Sequence, residues 1–241
     1  MIGGRRTLAV VPARGGSKGI PLKNLRQVLG KPMVAHAGNI CTSLDWLDRA
    51  VVSTDHDEIR RVAQASGLAA PFMRPEAISG DRIGDWDVLH QALLACEAVD
   101  QVRYDIIIML QPTSPLRRPE HVTATVEGLI DGDWDAAWTV SETDSKSHPL
   151  KQLTIAQDKL GLYDPAGANI IARQQLIPVY HRNGIAYAVT RDCLTEQRTV
   201  LGTRTRAIVI DGHFVSVDTE YDIRLIEFLF GENRQTQQAD R

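Results

Sequence analysis

Leu8-Ala-Val-Val-Pro-Ala-Arg-Gly-Gly-Ser-Lys-Gly-Ile-Pro-Leu-Lys-Asn24 is the stretch from which the rest of the chain can be read. Its first four residues, Leu8 to Val11, form an apolar run of the kind that makes a buried strand. The chain then turns abruptly into glycine, proline and charge. Gly15, Gly16 and Gly19 lack a Cβ, so the backbone there can bend sharply and lie close to a ligand. Such backbone can aim several N–H groups at an anion. Arg14, Lys18 and Lys23 add three full positive charges. A solvated basic turn is the plain alternative. A strand followed by a glycine loop and cations favours a phosphate-binding loop. The spacing is neither that of a Walker P-loop nor Gly-x-Gly-x-x-Gly, which argues against ordinary kinase and dinucleotide-binding sites.

Outward from this loop, strand and helix signals alternate. Pro32 suits the start of a helix reaching about Thr42. Ala50 to Ser53 reads as a strand, and Asp55 as the cap of a helix from Asp57 to Ser66 that Gly67 ends. Val88, Leu89, Ala92, Leu93 and Cys96 fall at helical spacing within Asp85 to Val99. Ile106 to Leu110 is the clearest buried strand. Pro119 opens a helix ending near Gly132, and Asp135 to Val140 is a further strand. Ile185 to Val189 and Ala207 to Ile210 are late strands, Tyr221 to Phe230 is a closing helix, and Glu232 to Arg241 is a polar tail expected to fray. The order predicts an α/β fold: a mostly parallel sheet with helices on both faces. Residues 141–182 break the rhythm and read as an excursion that covers the site, meets a second subunit, or both.

Ligands in such sheets sit beyond the carboxyl ends of the strands. The glycine loop and Gln111-Pro-Thr-Ser-Pro-Leu-Arg117 therefore open at one edge. Gln111, Thr113 and Ser114 serve there either to hydrogen-bond a polar substrate or to cap the loop. Asp218 precedes the last helix and is either its N-cap or a carboxylate that holds Mg²⁺ against phosphate oxygens; one Asp can do both.

The bulk numbers narrow the function classes. The 241 residues are 43% hydrophobic and 24% charged, with a formal net charge of −3. That balance is ordinary for a globular domain and lacks the basic face of a nucleic-acid binder. Cys41, Cys96 and Cys193 are an odd number, widely spaced, and form neither a zinc pattern nor a disulfide framework. With no membrane-length apolar run and no apolar leader, the expectation is a cytoplasmic protein. The histidines lack catalytic-zinc spacing, and no Gly-x-Ser-x-Gly elbow is present.

Taken together, these motifs resemble the cytidylyltransferases that make CMP-activated acidic sugars, the acylneuraminate cytidylyltransferase family most of all. Val11 to Asn24 matches the nucleotide-binding signature. Val51 to Asp55, Arg74-Pro75, Leu110 to Arg117, His148 to Lys151, Arg173 to Gln175, Asn183-Gly184 with Tyr187, and Asp218 to Asp222 follow in the same order. The resemblance spans residues 7 to about 230 and implies a single domain, 1–241, with a three-layer α/β/α Rossmann-like nucleotidyltransferase fold and a dimerisation arm at 141–182. It implies transfer of CMP from CTP to the anomeric hydroxyl of an acidic nine-carbon 2-keto sugar, N-acetylneuraminate or a related nonulosonate, with release of pyrophosphate. CMP-Kdo, CMP-legionaminate or CMP-pseudaminate synthesis, or a nucleotide-binding regulator without turnover, are the alternatives.

By resemblance, Ala13, Arg14, Gly16, Ser17, Lys18, Lys23, Asn24 and Arg74 hold the nucleotide. Gln111, Lys151, Arg173, Asn183 and Tyr187 surround the sugar, partly from the second subunit of a homodimer. Arg14, Lys23 and Asp218 are the implied catalytic groups, with Asp218 holding Mg²⁺. Neither nucleic acid nor membrane is an implied partner. This chain departs from the family at Ser216, where relatives commonly carry a second carboxylate, with Asp211 a conceivable substitute. It departs again at His181-Arg182-Asn183, where the order of basic residue and proline differs.

Overall fold

The computed structural model describes residues 1–212 and 214–239. The N-terminal apolar run becomes β1 (Thr7–Pro12). The glycine loop follows, then a short hairpin, β2 (Gln27–Val28) and β3 (Lys31–Pro32). Next come α1 (Met33–Thr42), β4 (Arg49–Ser53), α2 (Asp57–Ala65), α3 (Asp85–Asp100) and β5 (Ile106–Met109). α4 (Pro119–Ile130) leads to β6 (Ala136–Glu142). After the excursion come β9 (Tyr180–Thr190), α5 (Arg191–Thr195), β10 (Thr205–Val209) and α6 (Glu220–Ala239). Within the excursion, β7 (Leu153–Ala156) and β8 (Lys159–Leu162) pair only with each other.

Six strands form the central sheet in the order β10–β6–β9–β5–β1–β4. β1 pairs parallel with β4 and β5, and β10 parallel with β6, while β9 runs antiparallel between β5 and β6. The sheet is thus mostly parallel, with one reversed strand. Alternation along β1 sorts the core: Ala9 and Val11 face α1, α2 and α4, while Leu8 and Val10 face α3 and α5. Ile106, Ile107 and Ile108 are all fully buried, as expected of a central strand covered on both faces. A third cluster joins Ile20 of the glycine loop to Val28, Met33, Val217, Ile223 and Ile226. α6 thereby packs beside the glycine loop, although the two are far apart in sequence.

Several sequence expectations change. His56, rather than Asp55, caps α2: its Nδ1 accepts from Glu58 N at 3.2 Å. Asp55 instead accepts from Gly15 N at 2.8 Å, so its carboxylate is spent on the glycine loop. α6 continues as helix to Ala239 through most of the tail expected to fray, and Asp240 and Arg241 lie outside the described residues. The β2–β3 hairpin and α5 carry too few residues to leave a periodic pattern. Among the described residues, no helix is long and apolar enough to cross a membrane.

Candidate active site

The carboxyl ends of β1, β4, β5 and β10 and the start of the reversed β9 meet at one edge, and a cleft of about 580 Å³ opens there. Its floor begins at the glycine loop. Ala13 is fully buried and its N–H bonds Ser53 O at 2.9 Å, which ties the loop to the end of β4. Asn24 is also buried, and its Nδ2 donates to Arg14 O at 2.9 Å, closing the loop on itself. Gly19 lies so near the far end of the chain that a Cβ would stand 2.7 Å from Asp218 O. Space around Gly16 is open, and Gly16 does not line the cleft.

Arg14, Ser17, Lys18, Lys23, Asn24 and Arg74 all line the cleft. The Arg74 guanidinium is buried, donating to Ser53 Oγ at 3.0 Å and Ser53 O at 2.5 Å. Burial lowers its pKa to about 10, offset partly by Asp55, so it stays charged at neutral pH. Lys23 Nζ reaches Val217 O and Asp218 Oδ1, each at 2.9 Å. Asp81 spans Arg14 at 2.8 Å and Lys18 at 2.5 Å. Four cations are therefore gathered in one open cleft, two of them facing a single carboxylate.

The loop after β5 supplies uncharged lining. Gln111 and Thr113 line the cleft. Ser114 does not: it is buried and its hydroxyl donates to Asn183 O at 3.2 Å, so it holds the loop in place. Arg117 has the same task. Its buried guanidinium donates to the backbone carbonyls of Ile185, Gly184 and Gln111, and burial lowers its pKa to about 10. Gly184 has φ +73°, and a Cβ there would sit 2.6 Å from Ser114 Oγ and 3.0 Å from Gln111 Oε1. A glycine is thus required for β9 to approach the loop that carries Gln111.

Not every residue singled out from the sequence comes to the cleft. Asn183 and Tyr187 lie behind its wall, buried. Asn183 Oδ1 accepts from Thr139 Oγ1 at 2.7 Å, and Tyr187 Oη accepts from Gly184 N at 2.7 Å. Both brace the turn at Gly184 within the same chain. Lys151 and Arg173 are exposed on the excursion and do not line the cleft. Asp81 and Asp85, which do line it, are not among the site residues expected from the sequence, where Asp85 reads only as a helix start. The polar run Ser79-Gly-Asp-Arg-Ile-Gly84 ahead of α3 was the available signal: it is a third glycine-bearing loop.

Asp218 is not the cap of α6. Thr219 Oγ1 accepts from Asp222 N at 3.3 Å, while Asp222 Oδ2 accepts from the N–H groups of Asp218 at 3.0 Å and Thr219 at 2.7 Å. This reciprocal box leaves the Asp218 side chain, 74% exposed, on the cleft beside Lys23. Among the described residues no group of three His, Cys, Asp or Glu side chains could cage a metal. Mg²⁺ does not need one, since it binds through one or two carboxylates with waters and substrate phosphates. Asp218 and the neighbouring Ser216 hydroxyl, both on the cleft, fit that mode; Asp211 does not line it.

The chain matches the cytidylyltransferase family model over residues 8–235. It is 29% identical over 235 residues to a CMP-N,N'-diacetyllegionaminic acid synthase of Legionella pneumophila, covering 95% of this chain and 98% of that protein. It is 30% identical over 230 residues to an N-acylneuraminate cytidylyltransferase of Streptococcus agalactiae, covering 93% of this chain and 54% of the longer relative. Among solved structures, a CMP:2-keto-3-deoxy-manno-octonic acid synthetase complexed with CTP superposes with a TM-score of 0.68 at 21% identity, over 95% of this chain and 99% of that one. That likeness establishes the shared fold.

Proposed function

We propose that this chain, which belongs to the cytidylyltransferase family and is a nucleotidyltransferase, transfers CMP from CTP to the anomeric hydroxyl of an acidic nine-carbon 2-keto sugar. Pyrophosphate is the second product. The observation that carries the reading is one cleft lined both by four cations, Arg14, Lys18, Lys23 and Arg74, and by the uncharged Gln111 and Thr113. A triphosphate suits the cations and a hydroxyl-rich sugar the uncharged groups. Relatives named for two different nonulosonates match at nearly equal identity. The proposal therefore names the sugar class, with N-acetylneuraminate as the first substrate to try.

In this reading the sugar hydroxyl attacks the α-phosphorus in line while pyrophosphate leaves. Catalysis is positioning plus stabilisation of charge on phosphate oxygens, and no covalent enzyme intermediate is needed. Lys23 and Arg14 supply fixed positive charge to the phosphates, Arg74 anchors the nucleotide from the rear, and Gln111 orients the sugar. Asp218 would hold Mg²⁺, which when bound neutralises charge on the phosphates. Ile155, Leu160, Tyr163, Ile171 and Ile177 are exposed apolar residues on the excursion, 67–93% accessible. They support a homodimer in which Lys151 and Arg173 reach the cleft of a second copy. Three buried thiols, all with raised pKa, suit a reducing cytoplasm.

The test is pyrophosphate release from CTP and Mg²⁺ with a panel of N-acetylneuraminate, legionaminate, pseudaminate and Kdo. Release with at least one nonulosonate supports the proposal. Release with Kdo alone moves the chain to the eight-carbon sugar. No release with any member, despite CTP binding, makes it a nucleotide-binding regulator.

A further inference from the structure

The cations of the glycine loop already face protein carboxylate. Asp81 Oδ1 lies 2.8 Å from Arg14 Nη1, and Asp81 Oδ2 lies 2.5 Å from Lys18 Nζ. One carboxylate thus spends both oxygens on two cations of the same loop, as a phosphate with two oxygens would. Asp81 comes from a different segment, the glycine-bearing loop ahead of α3, so the contact joins two segments that both line the cleft. It is an open contact: Lys18 is 82% exposed and Asp81 39%. The hydrogen bond from Lys18 is the chief reason the Asp81 carboxyl sits below its usual pKa, so it is charged at neutral pH.

We propose that Asp81 is an internal substitute for substrate phosphate, holding Arg14 and Lys18 in the cleft until a polyphosphate displaces it. This rests on reading the cleft as a phosphate site. The exchange replaces one set of charge-assisted bonds by another, so the loop cations are never left facing apolar protein or each other. A contact between exposed charges is weak enough to be displaced. It is strong enough to set how tightly the product pyrophosphate is retained. Asp81 is therefore a positioning residue that lowers affinity for phosphate anions and speeds their release.

The experiment is calorimetric titration of inorganic tripolyphosphate into the full-length protein without Mg²⁺, comparing wild type with Asp81→Asn, Asp81→Glu and Asp85→Asn. Asp81→Asn keeps the shape and removes the charge. Exposed ion pairs of this kind predict about three- to ten-fold tighter binding in Asp81→Asn. Asp81→Glu, which restores the charge, returns toward wild type. Asp85→Asn, which removes a cleft carboxylate that touches neither loop cation, changes affinity by less than about two-fold because solvent screens the more distant charge. Equal or weaker binding in Asp81→Asn overturns the proposal, since the carboxylate would then pre-organise the cations rather than compete for them. An equal gain in Asp85→Asn also overturns it, by reducing the effect to bulk charge. The titration needs no sugar, so failure of every sugar in the turnover assay leaves its result readable. If neither wild type nor Asp81→Asn binds tripolyphosphate, this proposal and the phosphate reading fall together.

Discussion

Lys23 sits where two segments 194 and 195 residues apart meet, donating to Val217 O and Asp218 Oδ1. These bonds fix the Nζ position before any substrate arrives, which is what makes a cation effective at a charge-developing step. Lys23→Ala is therefore expected to lower kcat by about a hundred-fold or more, the usual effect of removing one pre-placed donor. Near-normal turnover in steady-state kinetics would mean that the loop has another task. Asp218 gives the complementary case. Its side chain is 74% exposed and makes a surface ion pair, so Asp218→Ala should cost under about 1 kcal/mol of stability. The same change should abolish Mg²⁺-dependent turnover. A variant that keeps the wild-type Mg²⁺ titration curve would remove Asp218 from the metal site.

At the scale of elements, the start of α6 separates structure from function within five residues. Thr219 and Asp222 cap the helix, while Asp218 faces the cleft. Thr219→Ala should destabilise the protein by about 1 kcal/mol, the typical value of an N-cap, while leaving KM for CTP unchanged. Partial burial works to raise the Asp222 pKa, but the bonds from Asp218 N–H and from the Thr219 hydroxyl and N–H together lower it. A carboxylate depressed in the folded state stabilises fully above its unfolded pKa of about 4 and loses that contribution as pH falls through the lower folded value. The stability gap between wild type and Asp222→Asn should accordingly narrow progressively as pH falls below about 4 in denaturant titrations; a gap that does not change with pH contradicts the cap assignment.

Elements also show what a sequence can and cannot reveal. β1, β4 and β5 are legible because each holds a continuous apolar run, Leu8 to Val11, Ala50 to Val52 and Ile106 to Met109. The run Ile185 to Val189 announced β9 but not its direction, because apolarity carries no sign; only the pairing with β5 and β6 makes it antiparallel. Asp55 looked like a helix cap since it stands near a helix start, yet the backbone of Gly15 claims it. Three of the four cations of the cleft, Arg14, Lys18 and Lys23, are legible as a cluster in one loop. Asp81 is not, because a lone aspartate gains meaning only when folding brings it to Arg14 and Lys18. Asn183 and Tyr187 were marked by motif, and only burial shows that they brace the turn at Gly184 in the same chain.

For the whole molecule, the excursion poses the main question. Among the described residues, the strands of its hairpin β7–β8 pair only with each other, and Ile155 and Ile171 are 75% and 93% exposed. In the proposed homodimer these exposed apolar side chains form the contact between copies. The Ile155→Asp, Ile171→Asp double variant should then run as a monomer in light scattering and keep its CTP affinity, while KM for the sugar rises because the proposed contribution of Lys151 and Arg173 from a second copy is lost. A dimer that survives the substitutions would separate assembly from this surface.

In the proposed reading one cleft receives both CTP and the acidic sugar. Mass analysis of the products formed from CTP, Mg²⁺ and the nonulosonate panel addresses it most directly. A CMP-sugar ester and one pyrophosphate per CTP consumed are expected, with UTP, ATP and GTP giving little or none. Equal product from UTP, or pyrophosphate without a CMP-sugar, would contradict that reading.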